Sequence, residues 1–387
     1  MSASHGVATP LPLVLAGARG HGRWHLRNIR RLAERGLVRL AGICELTPLV
    51  GEELEGFTGI RQSSDFAGLL DETGARVAII CTPIPTHADL ALAAAARGVH
   101  LLLEKPPAPS LAEFHRIEEG AREAGVACQI GFQSLGSRAV PAIRDVLASG
   151  DLGELTGIGA AGAWTRDEAY YRRAPWAGRR RLDGRDVVDG VLTNPLAHAV
   201  ATALALEGST RAEDLSRIET ELFHAYAIEA DDTSCLRLTT AAGRRVTVAA
   251  TLCAEKSAEP YVMAHCTQGR ITFFYREDRI LLQRAGHGPE EIHYGRVDLL
   301  ENLVEHVTEG VGLLVPPERT GAFMSVLEAI RLAPEPRQLE PYVWETSPDG
   351  RRVVPGIDAL THACAESLGL FSELGAEWAE PAEVTAR

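Results

Sequence analysis

Leu11-Pro-Leu-Val-Leu-Ala-Gly-Ala-Arg-Gly-His-Gly22 carries an apolar run straight into a glycine-rich turn, and the segments on its C-terminal side decide the fold. The run is strand-sized, and residues 21–34 then read as a helix that stops at Gly36. The alternation continues with a strand over 38–44, a short helix over 65–72 and a buried strand over 76–81. A helix over 87–97, a strand over 99–103, a helix over 111–124 and a strand over 126–132 complete it. Apolar strands alternating with helices predict a doubly wound parallel sheet of the Rossmann type, in a domain over 1–132.

Beyond Phe132 the pattern changes. Helices over 139–149 and 195–206 precede strand-like segments at 218–230, 233–240, 245–252, 262–266, 270–276 and 279–283. Turn signals such as Ala242-Gly243 predict a large, mainly antiparallel sheet, so 133–387 reads as a second α/β domain. Helices are expected at 299–309 and 321–332, then a Pro-rich connector over 334–356. Ile357, Leu360, Cys364, Leu368, Phe371, Leu374 and Trp378 form one apolar stripe, which predicts a docked C-terminal helix over 357–379.

A chain of 387 residues is long for one core, in keeping with two domains. A formal charge of −13 repels phosphate backbones and argues against nucleic-acid partners. No apolar run approaches a membrane span, and Met1 to Pro10 shows no signal-peptide pattern. The seven cysteines are dispersed without a Cys-x-x-Cys pair, which predicts reduced thiols and a cytoplasmic location; Cys44 and Cys81 read as small buried hydrophobes. Of the 39 basic side chains only Lys105 and Lys256 are lysine. In a chain that otherwise uses arginine, a retained lysine marks a task for a compact, titratable ammonium. Lys256 reads more simply as a surface residue.

Gly17, Ala18, Arg19, Gly20 and His21 sit where a strand meets a helix. Glycines there let a pyrophosphate approach the helix N-terminus. In the spacing Gly-x-Gly-x-x-Gly the first glycine falls at Leu15 and is missing, so the turn alone fits an ordinary loop equally well. Glu45, closing the next strand, can accept hydrogen bonds from adenosine ribose hydroxyls. Leu46-Thr47-Pro48 after it brings no arginine for a 2′-phosphate, which favours NAD over NADP.

Cys81-Thr-Pro-Ile-Pro-Thr-His87 and Leu103-Glu-Lys-Pro106 resemble the paired signature of the glucose–fructose oxidoreductase and inositol dehydrogenase family (Gfo/Idh/MocA). Gly150-Asp-Leu-Gly153, Asn194-Pro-Leu-Ala-His198 and Cys266-Thr-Gln-Gly-Arg-Ile-Thr272 resemble its second domain, so the likeness runs over roughly 11–332. The resemblance implies that Thr82, Pro83, His87, Glu104 and Gln133 line the cofactor cleft. It implies that Lys105 stabilises an alkoxide and that His198 takes the hydroxyl proton, with Asn194 beside it. The implied reaction is hydride transfer between NAD and a secondary hydroxyl of a sugar, sugar acid or cyclitol. A homodimer or homotetramer through the C-terminal sheet is also implied.

Two positions depart from the family pattern. Asn194 stands where an aspartate is usual, and Ala201 where many members have another. An amide binds a hydroxyl but adds no charge to a neighbouring base. Redox-neutral glycoside cleavage with retained NAD, or a non-catalytic NAD sensor, are the competing readings. Tyr170-Tyr-Arg-Arg-Ala-Pro-Trp176 with Arg179 to Arg181 and Arg185 brings cations and aromatics together, and Tyr171 and Trp176 are substrate candidates. The stretch suits an anion site, a solvated loop or a subunit contact alike. His21 and His25 are four apart on one helix, but with no carboxylate at ligand spacing no metal is expected.

Overall fold

The computed structural model describes residues 9–54, 56–379, 381 and 383–386. The expectation about a signal peptide therefore lies, for residues 1–8, outside the described residues. No described helix is long and apolar enough to cross a membrane. Two compact units form. The first comprises the described residues up to Ala108 together with Ala112–Gly131 and Asp298–Pro317.

In the first unit β1 (Leu11–Ala16), α1 (Gly22–Glu34), β2 (Val38–Cys44), β3 (Arg61–Ser63) and α2 (Phe66–Thr73) precede β4 (Val77–Ile80). α3 (His87–Ala95), β5 (His100–Leu103), α4 (Leu111–Ala124) and β6 (Cys128–Ile130) come after it. The six strands lie in the order β3-β2-β1-β4-β5-β6, all parallel. Leu13 to Ala16 and Val77 to Ile80 are fully buried, as an all-parallel sheet covered by helices requires.

The second unit holds α5 (Ala139–Ser149), β7 (Leu155–Ala163), α6 (Glu168–Arg172), a hairpin of β8 (Arg181–Leu182) and β9 (Arg185–Asp186), and α7 (Ala197–Glu207). β10 (Leu215–His224), β11 (Thr233–Thr240), β12 (Arg245–Thr251), β13 (Tyr261–Cys266), β14 (Gly269–Phe274), β15 (Arg279–Arg284) and β16 (Glu290–His293) come next. After α8 (Leu299–Glu309) run α9 (Gly321–Leu332), β17 (Arg337–Gln338), a hairpin of β18 (Glu345–Thr346) and β19 (Arg352–Val353), α10 (Ile357–Ser367) and β20 (Glu383–Ala386). One sheet runs β16-β15-β14-β13-β7-β12-β11-β10-β17, with β20 also on β10. Only the β7–β12 and β10–β17 pairs are parallel. β7 is Gly/Ala-rich because helical segments press on it closely: a Cβ on Gly159 would meet the Ala365 carbonyl at 1.9 Å, and one on Gly162 the Leu196 side chain at 2.6 Å.

Three expectations are corrected. α8 belongs to the first unit, not to the domain expected over 133–387. Asn302 accepts from Gln129 Nε2 at 2.7 Å, and Val315 N–H donates to Gln129 Oε1 at 2.8 Å. The helix expected over 357–379 ends at Ser367, where Leu368 turns left-handed at φ 58°. Ile357, Cys364, Phe371, Leu374 and Trp378 nevertheless share one core, so the stripe survives the break in the helix. The strand expected over 218–230 stops at His224, because the buried Asp232 carboxylate takes the N–H groups of Ala225 and Tyr226 at 2.8 and 2.9 Å.

Candidate active-site residues

The glycine turn of the first unit is built by packing. A Cβ on Gly17 (φ +82°) would lie 2.4 Å from the Cys81 carbonyl, and one on Gly22 would lie 2.0 Å from the Gly17 carbonyl. These two are therefore the first and last glycines of the Gly-x-Gly-x-x-Gly spacing, and the missing member is the middle one, Arg19. Leu15, expected to mark the gap, is a buried strand residue. His21, the N-cap of α1, makes no side-chain cap bond, and the first turn holds no acidic residue. The open side of Gly20 at this helix N-terminus leaves room for a pyrophosphate.

Arg19 turns its side chain away along the end of β2. It donates to the Thr47 carbonyl at 2.8 Å and the Pro48 carbonyl at 3.2 Å, and lies 3.6 Å from Glu45 and 3.4 Å from Glu53. An arginine does stand beside Glu45, contrary to expectation, because the loop rather than β2 supplies it. Glu45 Oε1 accepts from Ala18 N–H at 2.6 Å and Arg19 N–H at 3.1 Å, so this carboxylate braces the turn itself.

His87, expected in the cleft, is buried. Its Nε2 faces the Thr82 carbonyl at 2.9 Å and its Nδ1 the Pro106 carbonyl at 3.1 Å. Burial draws its pKa below the ordinary value. It ties the Thr82-Pro83 turn to the segment after Lys105, while Thr82 and Thr86 share a hydroxyl bond of 2.6 Å.

Glu104 is the junction of this unit. Its Oε1 lies 3.0 Å from His25 Nε2 and 3.6 Å from His21 Nε2, and its Oε2 accepts from Lys105 N–H at 3.1 Å. Burial pushes the carboxyl upward, yet the two imidazoles outweigh it and hold Glu104 well below the usual carboxylate value. Gly131 leaves the room, since a Cβ there would come 2.9 Å from the carboxylate. The ground for setting metal aside is thereby corrected: the fold brings a carboxylate to His21 and His25, with all three ligand atoms within 4.8 Å of one another.

In the second unit Gln133 opens a single turn, Gln133–Gly136, directly after Phe132. His198 is the second residue of α7, edge-on to the Phe132 ring at 5.7 Å. Its Nδ1 lies 3.2 Å from Ser134 Oγ, and Thr202 donates to the same oxygen at 2.9 Å. Neither hydroxyl stands out in the sequence, although Thr202 lies one turn beyond His198 on the same helix face. Asn194 donates through Nδ2 to Asp189 Oδ1 at 2.6 Å. Asp189, only 4% exposed, also accepts from Gly178 N–H at 2.7 Å and meets Arg173 at 3.3 Å. The carboxylate absent at 194 is thus present five residues earlier in the chain.

Tyr171 packs its ring 5.0 Å from that of Tyr226 and against the core. Its hydroxyl is buried without a partner among the described residues, and burial raises its pKa well above the ordinary value. It is a packing residue rather than an open substrate contact. Trp176 lies under the Arg173 guanidinium at 4.7 Å.

Comparison with known proteins agrees with this geometry. Residues 12–132 match the model of the oxidoreductase family with an NAD-binding Rossmann fold, and residues 140–272 that of the GFO/IDH/MocA C-terminal domain. The scyllo-inositol 2-dehydrogenase (NAD(+)) of Bacillus subtilis is 36% identical over 116 residues, 29% of this chain and 33% of that protein. The inositol 2-dehydrogenase of Streptomyces avermitilis is 31% identical over 145 residues, 37% of this chain and 42% of its own length. The chain thus spans well under half the length of these curated relatives. The WlbA dehydrogenase of Bordetella pertussis, solved with NADH and UDP-GlcNAcA, superposes with a TM-score of 0.68 at 21% identity, covering 83% of this chain and 95% of that one. An aldose-aldose oxidoreductase of Caulobacter crescentus gives 0.67 at 19%, covering 83% and 96%. At such identities the likeness is one of fold.

Proposed function

The chain belongs to the Gfo/Idh/MocA family of oxidoreductases with an NAD-binding Rossmann fold, and we propose that it oxidises a secondary hydroxyl of a sugar, sugar acid or cyclitol, or reduces the matching ketone. The observation that carries this reading is the Glu104 carboxylate. It joins α1, which begins at the glycine turn, to the backbone of Lys105. NAD, when bound, supplies the hydride acceptor. Lys105 holds its ammonium against the substrate oxygen and stabilises the alkoxide. His198 takes the hydroxyl proton at Nε2. In the tautomer in which His198 Nδ1–H donates to Ser134 Oγ, 3.2 Å away, the Nε2 lone pair is left for the proton. Asn194, gripped through Nδ2 by Asp189, turns its carbonyl oxygen to a substrate hydroxyl.

Absorbance at 340 nm with NAD or NADP and a panel of polyols, sugar acids, inositols and glycosides tests the proposal. NADH formation with one class, lost in Lys105→Ala and reduced roughly 10²- to 10⁴-fold in His198→Ala, is expected. A glycoside consumed without NADH would point instead to redox-neutral cleavage, and NAD binding with no turnover to a sensor. A homodimer or homotetramer through the large sheet and a cytoplasmic location belong to the same proposal. Native mass spectrometry and cell fractionation check them.

A further inference from the structure

The arginines between residues 166 and 185 do not share one task. Arg172 pairs with Glu168, Arg179 with Glu229 at 2.9 Å, and Arg181 with Asp186 at 2.8 Å. Arg180 donates to the carbonyls of Ile330, Arg331, Ala333 and Pro334 at 2.8 to 3.0 Å and so caps α9. Arg173 reaches Asp189. These side chains hold the second unit together: Arg172, Arg173, Arg179 and Arg181 each meet a carboxylate, and Arg180 is taken up by four carbonyls.

Arg166 is different. Its guanidinium carbon lies 5.1 Å from the Trp164 ring centroid and 5.0 Å from that of Tyr170. Nη1 donates to the Thr165 carbonyl at 2.8 Å. Among the described residues no carboxylate forms an ion pair with Arg166. Its aromatic neighbours are each shared with a second, compensated cation. Arg276, bound to Glu259 at 2.9 Å, lies 5.6 Å from Trp164, and Arg173 lies 3.7 Å from Tyr170. The array is continuous from Arg166 through Tyr170, Arg173 and Asp189 to Asn194.

We propose that Arg166 anchors the carboxylate of an acidic substrate, so that the substrate class narrows from polyols in general to sugar acids. This rests on the hydride-transfer reading for Asn194 and His198. A guanidinium offers five N–H donors in one plane; Arg166 spends one on the Thr165 carbonyl and another toward the Tyr170 hydroxyl. The rings of Trp164 and Tyr170 hold the side chain in place, and the remaining donors suit the two oxygens of a carboxylate. The chain carries a net charge of −13, so a local cation of this kind favours the approach of an anionic substrate.

The test uses the full-length, NAD-loaded protein and two pairs of probes that differ in a carboxylate: D-glucuronate with D-glucose, and D-gluconate with sorbitol. Calorimetric affinity and NADH formation are read for wild type, Arg166→Met, Arg166→Lys and the ion-paired control Arg179→Met, with thermal melts to show that each is folded. We expect the acid of a pair to bind more tightly than its neutral partner. Arg166→Met should weaken the acid roughly tenfold to a hundredfold and leave the neutral member unchanged, as loss of a charge-assisted bond predicts. Arg166→Lys should recover part of the loss and Arg179→Met should show none. Equal affinity within each pair, no binding of either acid, or an equal loss of both members in Arg166→Met overturns the proposal. Failure of the protein to bind NAD at all would instead sink the hydride-transfer reading.

Discussion

Glu104 and Asp189 are two buried carboxylates, one in each unit, and each fixes a residue assigned to the reaction. Glu104 holds the Lys105 backbone and Asp189 holds the Asn194 amide. Their other donors differ. Glu104 lies against the imidazoles of His21 and His25, whereas Asp189 lies against the Arg173 guanidinium and the Gly178 N–H. The same device is therefore built on imidazoles in the nucleotide-binding unit and on a guanidinium and a backbone N–H in the other.

The hardest blow to this contrast is Glu104→Ala. It leaves His25, fully buried, without its acceptor, and should cost about 3–5 kcal/mol in urea unfolding at neutral pH; a loss under about 1 kcal/mol would show that the junction is incidental. Asn194→Asp sets a second carboxyl against Asp189. Two such groups must share a proton, so the pair's upper pKa rises in the folded state. Stability relative to wild type should then be near normal in acid, fall by up to about 1.4 kcal/mol per pH unit as pH rises from the unfolded carboxyl value of about 3.9 to the pair's raised pKa, and level off above it. A pH-independent difference in melting temperature would break the comparison. Ser134→Ala, which takes a neutral partner from His198, should lower kcat/KM about tenfold and move the pH–rate profile, and by leaving the buried Thr202 hydroxyl without its acceptor should cost about 1 kcal/mol. The smallest effect belongs to the wild type in acid. Glu104 is depressed, so its stabilisation is complete above about pH 4.5 and drains as pH falls below that value. Glu104→Gln should flatten this part of the stability curve.

The parallel sheet was legible because strand and helix periodicity are local properties of the chain. The glycine turn was legible as a turn but not in register. Sequence spacing puts the missing glycine at Leu15, and the close approaches of Gly17 to Cys81 and Gly22 to Gly17 move it to Arg19. Glu104 and His25 lie 79 positions apart, and no spacing rule joins them. Asn194 read as a lost charge because sequence shows a substitution in place, whereas Asp189 restores the charge from another position. The C-terminal stripe predicted burial correctly and helix length wrongly, since Leu368 can turn left-handed while Phe371 and Trp378 still reach the same core.

The return of residues 298–317 to the first unit bears on how such a protein can be inherited. Gln129 is fully buried at the last strand of the parallel sheet, and its amide is met by Leu299, Asn302 and Val315. A gene segment ending at residue 132 would carry the nucleotide-binding strands without the partners that satisfy this side chain. The two halves cannot then be shuffled as consecutive cassettes. Recombination that moves the first must bring along a short passage from deep inside the second, so the two are expected to travel through evolution as one linked inheritance.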